Sequence, residues 1–365
     1  MNGLTRTKLT ITFWLCAALL SGCGQGEVKH FNTDDYPKAL SDWGVIELQG
    51  EHLKVNDSAV VYDLNTALFS DYALKLRTVF VPNGESAGYH PEDTFAMPVG
   101  SIISKTFFYP KDSQGRLVTT GAWQGDPKDV STATHQLVET RLLVRQIDGW
   151  DAVSYIWQGD EAYLSVAGKL QRFKLTNDKP LNYLVPSRNQ CASCHATNHT
   201  TGEIRPIGIK SRHLNRTTDL YQENQLTHWQ SKGILKGVVK PPAGNALWND
   251  PDANLNHRAR SYLDINCGHC HNPAGAADTS GLLLDYADHP KLVMGYCKPP
   301  IAAGRGSGGR LYSIVPGHPE ASILSFRLET NNPAMMMPEL GRSLVHNEGV
   351  ELVSSWIADL EGECI

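Results

Sequence analysis

The sequence predicts a multi-domain fold, an N-terminal antiparallel β-rich domain followed by two mainly α-helical segments, each organised around one Cys-x-x-Cys-His pentapeptide. Three observations lead there. Residues 31–186 carry β-branched and aromatic runs separated by turn signals. The pentapeptides Cys191-Ala192-Ser193-Cys194-His195 and Cys267-Gly268-His269-Cys270-His271 occur once in each of the two following segments. Stretches on either side of the second repeat apolar residues at helical spacing.

Residues 1–22 read as a signal peptide. Arg6 and Lys8 give it a basic start, Ile11 to Leu20 form an apolar run short for a membrane span, and Leu20-Ser21-Gly22-Cys23 follows. This end resembles the lipobox of bacterial lipoproteins. The resemblance implies cleavage before Cys23, lipid on Cys23 and anchoring to the cell envelope. With Gly24 rather than Asp after the cysteine, it also implies the outer membrane, the protein facing the periplasm or the exterior. Several acyl chains, at about 0.8 kcal/mol per buried methylene, hold a protein on a membrane where one does not.

The β-rich domain is expected over residues 23–186. Ser101 to Tyr109, Leu137 to Gln146, Trp150 to Gln158 and Leu170 to Leu175 read as strands, and Asp148-Gly149 and Gly159-Asp160 as the turns of a meander. No phosphate loop and no nucleophile elbow occurs in it, and Lys105 reads as an exposed strand lysine.

A first cofactor segment, residues 187–240, and a second, residues 241–365, follow, the latter opening on the linker Pro241-Pro242-Ala243-Gly244. Cys-x-x-Cys-His is the attachment signature of c-type haem: the cysteines form thioethers to the porphyrin and the adjoining histidine binds iron. With 8 Cys and 14 His in 365 residues, chance supplies one such pentapeptide with an expectation below about 0.01. Two covalently bound haem c groups are therefore expected, on Cys191 and Cys194 with His195, and on Cys267 and Cys270 with His271. A zinc or disulfide reading leaves the adjoining histidine unexplained twice. For the sixth position at the first iron, His199, His213, His228 and Met97 are candidates, with His213 preferred for its distance along the chain.

In the last segment Leu255, Ala259, Tyr262 and Leu263 share one helical face, and Val350, Val353, Trp356, Ile357 and Leu360 another, with Asn347 as the expected N-cap. This arrangement resembles class I cytochrome c. The resemblance implies a Tyr262–Trp356 contact between crossing helices, and Met337, standing directly before Pro338, as the second iron's sixth ligand. Cys16 leaves with the signal, so Cys297 and Cys364 remain, an even pair that suggests a disulfide in an oxidising compartment.

Taken with Glu139-Thr140-Arg141-Leu142-Leu143, Ala303 to Arg310 and Met337-Pro338-Glu339-Leu340-Gly341-Arg342, the chain resembles an uncharacterised family of bacterial dihaem c-type cytochrome lipoproteins. Arg305, Arg310 and Arg342 are candidate partners for haem propionates. Loss of Arg6 and Lys8 with the signal takes the formal charge from −5 to −7, which excludes nucleic acid as an expected partner. Two function classes remain. One is an electron carrier serving redox partner proteins; the other is a haem enzyme, a peroxidase or small-molecule oxidoreductase, with an open position at the first iron. No acid–base pair of motif strength is present, so the carrier leads.

Overall fold

The computed structural model describes residues 26–120, 126 and 129–365. The signal segment and Cys23 lie outside the described residues. Among those described, no helix is long and apolar enough to cross a membrane.

The chain opens with strands β1 (Ile46–Gln49), β2 (His52–Val55), β3 (Ala59–Tyr62), β4 (Leu74–Phe80) and β5 (Ala87–Gly88). It continues through β6 (Ile102–Pro110), β7 (Val130–Ser131), β8 (His135–Gln146), β9 (Gly149–Gln158) and β10 (Glu161–Leu164), then the hairpin β11 (Lys169–Lys174) and β12 (Pro180–Val185). The main sheet has six strands in the order β10-β9-β8-β6-β4-β3, every pair antiparallel. Its alternation divides the residues between two faces. One face, with Leu76, Ile102, Leu142, Val144 and Val153, packs on Leu40, Trp43, Ile46 and Leu53 of the N-terminal segment. Hydroxyl pairs cross the same face, Thr78 with Ser104 at 2.6 Å and Thr106 with Thr140 at 2.7 Å. The opposite face carries two separate apolar cores. One joins Val60, Val79 and Ile103 to Ile209, Leu214, Leu226 and Trp229; the other joins Phe107, Val138 and Ile156 to Leu181, Tyr183 and Val185.

The helices are short: α1 (Arg188–His195), α2 (Ser211–Leu214), α3 (Gln225–Ser231), α4 (Leu255–Leu263), α5 (Ile323–Glu329) and α6 (Asn347–Ala358). Ser187 and Gln190 close a capping box at the start of α1. Helices α4 and α6 pack together through Ala259, Leu263, Leu352, Val353 and Trp356, and Cys297 bonds to Cys364, their Cα atoms 5.1 Å apart.

The fold class expected from the sequence needs correction. The protein is β-rich, with 26% of residues in strands and 20% in helices, and the two mainly α-helical haem domains are not formed. Residues 207–238 have no core of their own; they complete the core on the sheet. In the last segment the two amphipathic faces do become helices, but most of the chain between them is turns and loops, so the class I cytochrome c-like architecture does not hold. Tyr262 turns its hydroxyl to His346 Nδ1 at 2.9 Å, and Trp356 meets Tyr296 and donates to Asn256 instead of meeting Tyr262. The N-cap of α6 is His346, one residue before the expected Asn347.

Candidate functional site

The first pentapeptide ends α1, which lies against β9, and the second follows α4 in a tight π-type turn, Asp264–Gly268. Gly268 is required there, because a Cβ would come within 2.8 Å of the Asp285 Cα. The four motif cysteines are free thiols, and among the described residues no three His, Cys, Asp or Glu side chains gather as a metal cluster.

Both motif histidines are held in the same way. His195 Nδ1 bonds to the Arg205 carbonyl at 2.8 Å, and His271 Nδ1 bonds to the Leu282 carbonyl at 3.0 Å. A carbonyl only accepts, so each Nδ1 carries the proton and each Nε2 keeps its lone pair for a metal. Burial, aided by the Lys105 charge, lowers the His195 pKa to about 3; burial also lowers that of His271. Both imidazoles are neutral at physiological pH, the form that binds iron. Burial pushes the Cys267 thiol up to about 12 and Cys270 to about 11, and raises Cys191 and Cys194.

Cys191, Cys194 and His195 line a cleft between the sheet and the last segment. Its apolar walls include Leu143, Ile207, Ile209 and Leu340. These residues fit a haem: two unpaired thiols, a metal-ready imidazole, and a cleft that joins apolar walls to a row of basic side chains. His269, from the second motif, lines the same cleft, and its buried Nδ1 makes no hydrogen bond.

The two motifs also touch. His199 N–H donates to Ala274 O at 2.8 Å, and Cys270 Sγ lies 3.5 Å from Ser193 O. Loop 335–342 is brought to the second motif: Met337 N–H donates to Arg327 O at 2.9 Å, and the Glu339 carboxylate acts on both Cys270 and His271. Met336 is buried and Met337 half-buried.

The candidates for the first sixth position do not converge there. His213 sits outside the cleft, its Nε2 3.5 Å from Asp264 and its Nδ1 3.3 Å from the Asn245 amide. His228 stacks on Tyr221 and bonds to Glu223, His199 bonds to Ala274 O, and Met97 is packed in the core. Chain distance pointed to His213, but the ion pair of Arg212 with Asp264 fixes it elsewhere. Of the arginines, Arg342 lines the cleft but gives its hydrogen bonds to the carbonyls of Met337, Leu344, Arg327 and Thr330, whereas Arg310 stacks on Phe326.

Lys105 is not an exposed strand lysine. It faces the cleft in a cross-strand row, Arg77–Lys105–Arg141, with Lys75 two residues along β4. Burial and the neighbouring arginines bring its pKa down to about 7. The signal was present in β6, where Lys105 alternates in phase with Ile103 and Phe107.

Comparison with known proteins finds no matching family model, no matching curated protein and no matching solved structure.

Proposed function

We propose that this chain is a dihaem c-type cytochrome that relays single electrons between redox partner proteins in the bacterial cell envelope. The observation that carries the reading is the matched setting of the two motif histidines, each with Nδ1 bonded to a backbone carbonyl and Nε2 free. Bound haem supplies a one-electron ferric–ferrous couple. The protein holds each neutral imidazole in one tautomer, offers two thiols beside it and lines the first slot with apolar side chains on one side and a basic row on the other. His195 and His271 are the proximal ligands, Met337 the second sixth ligand, and His269 replaces His213 as sixth ligand at the first. The lipobox supports an anchor through lipid on Cys23.

Haem staining of denaturing gels and intact mass test this directly. The wild type is expected to carry two haems, and the paired Cys191→Ala and Cys194→Ala variant one. Two haems in that variant, or none in the wild type, sinks the reading. Cys23→Ser is expected to release the protein from membranes with its spectrum unchanged; retention after a high-salt wash means another anchor.

One observation favours the second reading, a haem enzyme open at the first iron: the polar row opposite His195. A ferric first haem that is high-spin in the wild type and shifts with peroxide or nitric oxide supports it over the relay.

A further inference from the structure

The face of the main sheet that meets the first motif should be apolar, yet its centre is basic. Arg77 pairs with Lys105 across β4 and β6, and Lys105 with Arg141 across β6 and β8, while Lys75 stands opposite Phe107. Like charges directly opposite each other destabilise a sheet. Two of the four are answered: Arg77 donates to Asp63 at 2.8 Å, and Arg141 holds Glu139 through two bonds of 2.9 and 2.6 Å. Glu139 also takes the Tyr183 hydroxyl at 2.6 Å, so three of its about four acceptor sites are filled, none of them by Lys105.

Lys75 and Lys105 have no carboxylate partner among the described residues. Lys75 donates to the Ala73 carbonyl at 3.1 Å, and both ammonium groups lie over the Phe107 ring, at 5.6 and 5.3 Å from its centroid. The Arg141 guanidinium lies 4.5 Å from that same centroid. One ring serving three basic groups lowers the cost of each, but it cancels none of their mutual repulsion. The two carboxylates answer the two arginines, which leaves Lys75 and Lys105 without an ion pair. Burial and the neighbouring cations lower both ammonium pKa values, that of Lys105 to about 7, and a bound anion would restore their charge.

We propose that the row Lys75–Arg77–Lys105–Arg141 is an oxyanion site, taking a carboxylate or a small inorganic oxyanion of the nitrite or sulfite class beside the first haem. The inference rests on the haem reading above, since the site faces Cys194 and His195 across the cleft. Two sources have the right chemistry, the haem's own propionates and a free anion. Two observations favour the free anion. Lys75 and Arg77 also line a second cleft, which runs past Asp63 and Trp248 and reaches the exposed Leu247, so the β4 end of the row opens to the outside. Lys105 and Arg141 line the cleft together with Cys194, whose thioether would hold a porphyrin by its vinyl edge, whereas propionates leave a porphyrin from the opposite edge.

The test uses purified holoprotein and the variant Lys75→Gln with Lys105→Gln, which removes only the two unanswered charges; Lys105→Arg is the charge-keeping control. Haem content is measured first by pyridine haemochrome: a wild type without haem refutes the cytochrome reading, whatever the anions do. Nitrite and acetate are then titrated calorimetrically, and the midpoint potential of each haem is recorded without added anion. The expected result is saturable one-to-one binding in the wild type, weakened by at least about tenfold in the double variant and kept in Lys105→Arg. No saturable binding, with a first-haem potential that falls in the double variant, assigns the site to the propionates. With two haems present, wild type and double variant alike in anion binding and in potential overturn the proposal, and a higher melting temperature in that variant then marks the row as repulsion alone.

Discussion

The two Cys-x-x-Cys-His motifs have the same spacing and the same Nδ1-to-carbonyl restraint, but their surroundings differ. The first ends a capped helix against the main sheet, and its histidine faces a cleft with a basic wall. The second is gripped by its own region: a turn tight enough to require Gly268, the loop around Met337, and a disulfide closing a 67-residue span. The pentapeptide sets the local restraint; the neighbouring fold decides what reaches each histidine. The loop around Met337, through Leu340 and Arg342, also walls the cleft of the first motif.

The sharpest way to break this comparison is to remove the groups assigned to the two sixth positions. Met337→Ala is expected to convert the second haem from low to high spin and abolish the weak sulfur-to-iron absorption at the red edge of the visible, leaving the first haem unchanged. Met337→His should keep six ligands and lower the potential, because imidazole favours the ferric state more than a thioether does. His269→Ala should do the converse, turning the first haem high-spin while the second keeps its thioether band. Electron paramagnetic resonance reads both; an unaltered first haem in His269→Ala removes that residue from the iron.

The next largest effect concerns the joint between the regions. Arg212, seventeen residues beyond His195, holds Asp264 through bonds of 2.8 and 3.1 Å just before the second motif. Asp264→Asn leaves that guanidinium without its charge partner and is expected to cost about 3–5 kcal/mol in chemical denaturation. A cost near zero would mean that the two regions do not depend on this pair. Cys364→Ala acts on the second region alone, with an expected loss of about 2–4 kcal/mol and the first haem's spectrum preserved.

The smallest effect is a pH dependence. Burial lowers the His213 pKa to about 4, so it is neutral at pH 7 and Arg212 is the charge that faces Asp264. Burial alone would raise the Asp264 pKa; its cationic neighbours outweigh this and hold it at about 2. Below about pH 6.5 the unfolded chain protonates its copy of His213 while the folded one does not, so stability falls as pH drops toward 4. From about pH 4 to 2 the Asp264 contribution, about 2 kcal/mol, is lost as well. Melting temperatures across this range should decline in two stages in the wild type, and Asp264→Asn should lose the second.

How much of this was legible in the sequence follows from the range of each signal. Strands β6, β8 and β9 stand within two residues of their expected bounds, because alternation and turn residues are local. The faces on α4 and α6 were also legible. The error lay between them: glycine-rich stretches such as Gly304 to Gly309 and the prolines at 316, 319, 333 and 338 forbid long helices, and two amphipathic faces do not make a helical domain. His269 was passed over because it stood inside a motif already explained, and Lys105 because alternation gives a face but not its occupant. Which side chains share a cleft depends on contacts between residues nearly two hundred positions apart, which no local pattern encodes.

Asp71 shows what such separation means in time. Its carboxylate accepts the backbone N–H groups of Ser343 and Leu344, both at 2.7 Å, across more than 270 residues. These bonds pin the stretch just beyond Leu340 and Arg342, the last wall of the first cleft. A ribosome delivers residue 71 long before residue 343, and contacts of such separation form late. Until the stretch at Ser343 and Leu344 has docked on Asp71, then, the cleft stands open on one side. A cofactor bonded to Cys191 and Cys194 before that wall arrives can enter unhindered, and the final thirty residues close over it.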